Sequence, residues 1–351
     1  MHTWEIPNLD KTYILGVLER LLQTPSPSGY CMEAMKVVEE EAAKLGYTVA
    51  STPKGNGIIT IEGESAEGGT LGLSAHVDTL GAMVRSIKGS GMIRFTPVGG
   101  YMMHSVEGEY CRIHTRDGRS YEGTVLSSKP SVHVYTDARD FKREEANMEI
   151  RIDEVVKSKE DVEKLGIAVG DFISWDPRTR IFPNGLVKSR HLDDKASVAA
   201  LFGVLEWLKR EGKKPSRTVK IIISTYEEVG HGSSHIPSDI TEMLAIDMGA
   251  LGDDLSATEY DVSICAKDSS GPYDYNMTTK LIELARKAQI PYAVDIYPHY
   301  GSDASAALHG GSNIRAALIG PGVHASHSME RTHADAIVNT GALIALYMRE
   351  A

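Results

Sequence analysis

The chain of 351 residues, 42% hydrophobic and 24% charged, has the composition of a folded globular protein long enough for two domains with cores of their own. Its 37 Lys and Arg against 48 Asp and Glu leave a formal charge of −11, which argues against nucleic acid and against an anionic membrane as partners. Cys31, Cys111 and Cys265 are widely spaced and odd in number with no CxxC, which argues against a disulfide framework and thiolate metal sites and points to a reducing cytoplasm.

No apolar run approaches the roughly 20 residues of a membrane span. The first eight residues lack the basic start and apolar core of a secretion signal, so a cytoplasmic protein is expected. Helices are predicted from about Lys11 to Leu22 and from Met32 to Leu45, the second stopped by Gly46, then strands near Gly57–Glu62 and Thr70–Ala75. This α/β alternation predicts a mainly parallel sheet flanked by helices. After Gly81 the texture changes to short alternating segments, Met92–Thr96, Cys111–Thr115, Gly123–Leu126 and Ile150–Asp153, separated by Gly-rich turns, with Arg116-Asp-Gly-Arg119 as a hairpin signal. Residues 84–183 are therefore read as a β-rich, barrel-like domain inserted into a discontinuous catalytic domain of residues 1–83 and 184–351. Beyond it come a helix near Ala196–Arg210, strands over Val219–Tyr226 and Met243–Ile246, a helix near Thr278–Ala288, strands near Ala293–Tyr297 and Ile314–Ile319, and a closing helix over Ala334–Arg349.

Ionisable residues punctuate the ends of these apolar runs, where an open α/β sheet collects its ligands. His76-x-Asp78 follows the Thr70–Ala75 strand, so one side chain could bind a metal while the other orients it; the competing reading is a capping Asp beside a polar His. Asp193-Asp194 opens the helix near Ala196, where acids suit the helix dipole, yet two adjacent Asp cannot both cap. Glu227-Glu228 ends an almost uncharged strand, and burying both carboxylates costs several kcal/mol each unless a cation or proton compensates. One of them could bind metal and the other act as general base and then acid; a solvated acidic turn competes. Asp247 closes Met243–Ile246, its bland role being a turn before Gly249, and His324, His327 and His333 crowd the C-terminal segment. Together these N and O donors, with no Cys, suit zinc, cobalt or manganese. Two such ions roughly 3.5–4 Å apart would promote hydrolysis of an acyl bond.

The ordered motifs Ser-Ala75-His76-Val-Asp78, Leu192-Asp193-Asp194-Lys195, Tyr226-Glu227-Glu228-Val-Gly230, Ala245-Ile-Asp247-Met-Gly249, Gly301-Ser302-Asp303-Ala304 and His327-Ser328 resemble the tetrahedral aminopeptidases, the metallopeptidase family that includes glutamyl and deblocking aminopeptidases. The resemblance implies two divalent metal ions per subunit, with His76 and Asp247 completing one, Glu228 and His327 the other, and Asp193 bridging them. It implies Glu227 as catalytic base and Asp78 as the residue that orients His76. It also implies release of N-terminal residues from short peptides and a homo-oligomer built on dimers through the inserted domain, up to a hollow dodecamer. The chain departs from the family pattern at Thr79, at Lys195 and in the loops around Gly99–His104 and Lys129–His133. Members have sometimes been labelled endoglucanases, so a glycoside hydrolase is one alternative. Its two carboxylates would have to face each other across a substrate at roughly 5–9.5 Å, which adjacent Glu227 and Glu228 do poorly. A non-catalytic, metal-stabilised assembly protein is the other. The preferred N-terminal residue stays open; the Tyr300–Asp303 loop is the expected source of pocket side chains.

Overall fold

The strand Thr70–His76 is buried along its whole length, as a strand between two parallel neighbours and under helices must be. In the computed structural model, which describes residues 6–65 and 67–350, it lies between the parallel strands Val219–Ser224 and Ile240–Ile246, and Arg315–Val323 extends the parallel set. The reading of the N-terminal eight residues falls largely on 1–5, outside the described residues. Antiparallel strands flank this core: Gly57–Ile61 pairs with Val219–Ser224 and Val262–Asp268 with Arg315–Val323, within a sheet of ten strands.

Side chains alternate between the two faces with period two. Leu71, Leu73, Ile221, Ile223, Leu244, Ile246, Ala317 and Ile319 join one large core with the helices Lys11–Leu22, Met32–Leu45, Leu192–Glu211, Tyr275–Lys287 and Ala334–Glu350. Ile222, Met243, Ala245, Ala316 and Leu318 point to the other face, where the short helix Asp303–His309 supplies Ala304 and Ala307. Helix ends follow local chemistry. Asp10 accepts hydrogen bonds from the Thr12 and Tyr13 N–H groups, and Gly46 closes Met32–Leu45 at φ +86, a left-handed conformation open to glycine. The helix Leu192–Glu211 is almost wholly buried because Lys11–Leu22 and Ala334–Glu350 both pack on it. Its regular backbone starts only after Asp193 and Asp194, which are non-helical and joined by a cis peptide bond.

The segment between Gly81 and Trp175 forms a closed antiparallel barrel from Gly81–Ile87, Ile93–Val98, Tyr110–His114, Ser120–Ser127, Met148–Ile152 and Phe172–Trp175. It has its own core, including Val84, Phe95, Ile113, Val125, Ile150 and Trp175, with Phe95 and Trp175 edge to face at 5.7 Å. The hairpin at Arg116–Arg119 turns at Gly118, φ +84. After the barrel, Arg180–Ile181 and Leu186–Ser189 pair with Glu330–His333 in a small three-stranded sheet that ties the entry to Asp193 to the segment carrying His327. Among the described residues no helix is long and apolar enough to cross a membrane.

Candidate active site

Parallel strands end on one edge of their sheet, so residues that follow them in sequence are brought together there. His76 is the last residue of Thr70–His76, Glu227 and Glu228 form a single helical turn after Val219–Ser224, and Asp247 follows Ile240–Ile246. Asp193 arrives from the irregular start of Leu192–Glu211, and His327 from the turn after Arg315–Val323. The two imidazoles reach the same carboxylate: His76 Nε2 lies 3.1 Å from Asp193 Oδ1, and His327 Nε2 lies 3.3 Å from Asp193 Oδ2 and 3.3 Å from Glu228 Oε2. Glu227 Oε2 stands 3.6 Å from His76 Nε2.

Asp194, quoted with Asp193 in the sequence but given no ligand role there, is also present. Its Oδ2 accepts the His76 N–H, and its buried Oδ1 has no hydrogen-bond partner among the described residues. Donor atoms of His76, Asp193 and Glu228 lie within 4.8 Å of one another, as do those of His76, Asp194 and Asp247. His324 is exposed with its backbone paired to Arg331, and the His333 ring meets the Asn184 carbonyl and Tyr260, so both serve the small sheet.

Asp78 meets His76, as its spacing suggests, and has a second set of partners besides. The His76 Nδ1–H donates to the Asp78 backbone carbonyl at 2.9 Å, nearer than the carboxylate at 3.5 Å. The carboxylate turns to the next strand: Oδ1 accepts the Glu227 N–H, and Oδ2 accepts the Glu228 N–H and the Ser28 hydroxyl. Asp303 acts similarly, accepting from the Ser224 hydroxyl and the Ser233 N–H on either side of Glu227-Glu228. The sequence placed Asp303 in a quoted motif and in the loop expected to supply pocket side chains, without this bracing task, and it missed Glu330, whose carboxylate accepts the Asp193 and His327 N–H groups.

The electrostatics are those of crowded acids. Burial raises the carboxyls of Asp194, Glu227 and Glu228 well above the usual range, and neighbouring carboxylates add to it. Burial and Asp193 push Asp247 up to about 7. Burial alone would lower the two imidazoles, but their bonds to Asp193 and the surrounding acids overcome it, holding His76 well above its ordinary value and His327 at about 10. The same two bonds outweigh desolvation at Asp193 and keep its carboxyl well below normal. A set of buried N and O donors, one oxygen of it unpartnered, is the environment that divalent cations would compensate, so the residues present fit such ions. The donors open on a cavity of about 680 Å³ whose far wall includes Ser269, His299, Tyr300, Ser302 and His309.

Residues 55–343 match the family described as M42 glutamyl aminopeptidase, and the protein YhfE of Bacillus subtilis (strain 168) is 46% identical over 336 residues, 95% of this chain and 97% of that protein. The chain belongs to the M42 glutamyl aminopeptidase family. The aminopeptidase APDkam598 from the archaeon Desulfurococcus kamchatkensis shares its fold with a TM-score of 0.87 at 24% identity, covering 97% of this chain and 96% of that one. The Pyrococcus horikoshii TET1 peptidase, described as able to assemble into a tetrahedron or a large octahedral shell, gives 0.84 at 23% identity over 96% of this chain and all of that one. As an M42 aminopeptidase the protein is a peptide-bond hydrolase acting as an exopeptidase. In this M42 chain the departing loop at Gly99–His104 meets the site directly, because the Gly100 carbonyl accepts the His327 Nδ1–H. With Asp78 O doing the same for His76, each ring presents Nε2 to the acids, the tautomer that a metal ligand needs.

Proposed function

We propose that this aminopeptidase holds two divalent cations, zinc or cobalt with manganese as a third candidate, and releases N-terminal residues from short peptides with Glu227 as general base. His76 and Asp247 would hold one ion, Glu228 and His327 the other, and Asp193 would lie between them. The observation that carries the reading is Asp193 itself, whose two oxygens each meet a different imidazole, at 3.1 and 3.3 Å. When bound, the ions polarise the scissile carbonyl and lower the pKa of a water. Glu227, whose backbone N–H is fixed by Asp78, takes the proton of the attacking water and returns it to the leaving amine. The cavity beyond receives the N-terminal side chain.

The same reading extends to organisation. The inserted unit, read as residues 84–183 and built around the Gly81–Trp175 barrel, carries Met102, Tyr110, Val132, Val134 and Tyr135 as exposed apolar side chains, which supports assembly into dimer-based homo-oligomers. The three cysteines are all free, which supports a reducing, cytoplasmic setting.

The test is a panel of aminoacyl chromogens and a soluble glucan, assayed before and after chelation and with zinc, cobalt or manganese restored. Aminopeptide turnover should vanish with chelation and return with metal, and Glu227→Gln should keep its metal while losing about 10²- to 10⁴-fold in kcat. Chelator-insensitive glucan cleavage, or a Glu227→Gln variant with undiminished turnover, would contradict the proposal.

A further inference from the structure

We propose that Glu330 is a positioning residue of the metal centre, a single carboxylate that fixes the backbone of two ligand segments at once. The proposal rests on the reading of Asp193 and His327 as ligands. Glu330 is 2% exposed; its Oε2 accepts the Asp193 N–H at 3.0 Å and its Oε1 accepts the His327 N–H at 3.0 Å. The two segments lie far apart in sequence and are joined through the small sheet in which Ser189 pairs with Glu330.

Both segments need such a hold. His327 sits at φ +60 and Ala325 at φ +58, and His191, two residues before Asp193, at φ +68, a region that non-glycine residues occupy only when their surroundings over-determine them. The Asp193 N–H, buried at the irregular start of its helix, has no intrahelical acceptor and would otherwise be an orphan donor. A buried carboxylate is a costly way to stabilise a core position, since an apolar side chain would fill the space at lower cost. What the carboxylate provides, and an apolar residue could not, is two acceptors at opposite ends, one for each segment that delivers a donor to the Asp193, His327 and Glu228 cluster. Metal-site partners of this kind change affinity or activity by about 10- to 100-fold when removed.

The experiment compares wild type, Glu330→Gln and Glu330→Ala, each full length, by competing zinc away with a chelator of known affinity and by measuring kcat and KM on one aminoacyl chromogen across zinc concentrations. Glu330→Gln preserves shape but turns one acceptor into a donor, so it should release at least one ion about 10- to 100-fold more readily. KM should stay near wild type at saturating zinc, and Glu330→Ala should be weaker still. A purely structural role would lower the melting temperature of the chelated protein and leave the zinc affinity of the folded protein unmoved. Wild-type zinc affinity and kcat in Glu330→Gln would overturn the proposal while leaving the metal centre standing. Wild-type protein that binds no zinc and turns over without it would remove the metal reading itself, and the proposal with it. Should Glu330→Ala not fold, the isosteric Gln variant decides.

Discussion

Asp78→Asn separates what this residue does for Glu227-Glu228 from what it does for His76. Three donors converge on two carboxylate oxygens: the Glu227 N–H on Oδ1, and the Glu228 N–H and Ser28 hydroxyl on Oδ2. An amide keeps only one oxygen, and the least damaging placement is at Oδ2, which preserves two bonds and sets the new NH2 group against the Glu227 N–H. One hydrogen bond to a charged group, about 1.5–3 kcal/mol, is lost, and the remaining two weaken on losing their charge. The expected destabilisation is about 2–4 kcal/mol, concentrated at the turn that carries the base. A displacement of the base of the order of 1 Å costs about 10²-fold in rate. The His76 Nδ1–H bond goes to the Asp78 backbone carbonyl and survives the substitution. Steady-state kinetics at saturating zinc, paired with zinc content by atomic absorption, should therefore show kcat about 10²-fold down with zinc retained. A variant that loses zinc but regains wild-type kcat when zinc is added in excess would refute this account and restore the carboxylate as the orienter of His76.

A β-carbon at Gly232 would stand 2.4 Å from Asp303 Oδ1 and 3.0 Å from the Glu227 N atom, so Gly232→Ala should destabilise by about 1–3 kcal/mol and lower kcat, measured by thermal melting and steady-state kinetics. Burial, aided by Arg112, lowers His114 from 6.5 to about 4. Its folded value is thus below its unfolded one, so the unfolded chain binds the proton more readily between these values, and the stability from neutral His114 is present above pH 6.5 and lost as pH falls through that window. Urea unfolding should show wild type losing about 2 kcal/mol more than His114→Gln between pH 7 and pH 5, following the relation of about 1.4 kcal/mol per pH unit; equal losses would contradict the assignment.

Much of the fold was legible because its signals are local. Gly46 marks a helix end by a left-handed turn, and Leu71, Leu73 and Ala75 before His76 announce a buried strand. The strand Val262–Asp268 was not read; in the fold its Ser263 hydroxyl is buried against the Tyr297 hydroxyl. The small sheet escaped because Leu186–Ser189 and Glu330–His333 are short and half polar, and their partners are distant in sequence. At the site, strand ends pointed to His76, Glu227, Glu228 and Asp247, since each closes an apolar run. The division of labour at Asp78 was not visible, because period-two alternation stops where the strand stops, and Asp78 lies two residues beyond that end. Glu330 carries no sequence signal, being one acid in a polar segment; only the approach of Asp193 and His327 gives it a task.

Whether Asp193 stands between two ions is decided by anomalous diffraction from crystals soaked in zinc or cobalt. Two peaks are expected roughly 3.5–4 Å apart, one against His76 and Asp247 and the other against Glu228 and His327, with one Asp193 oxygen on each. A single peak held by His76, Asp194 and Asp247, with Asp193 not bound to it, would contradict this arrangement.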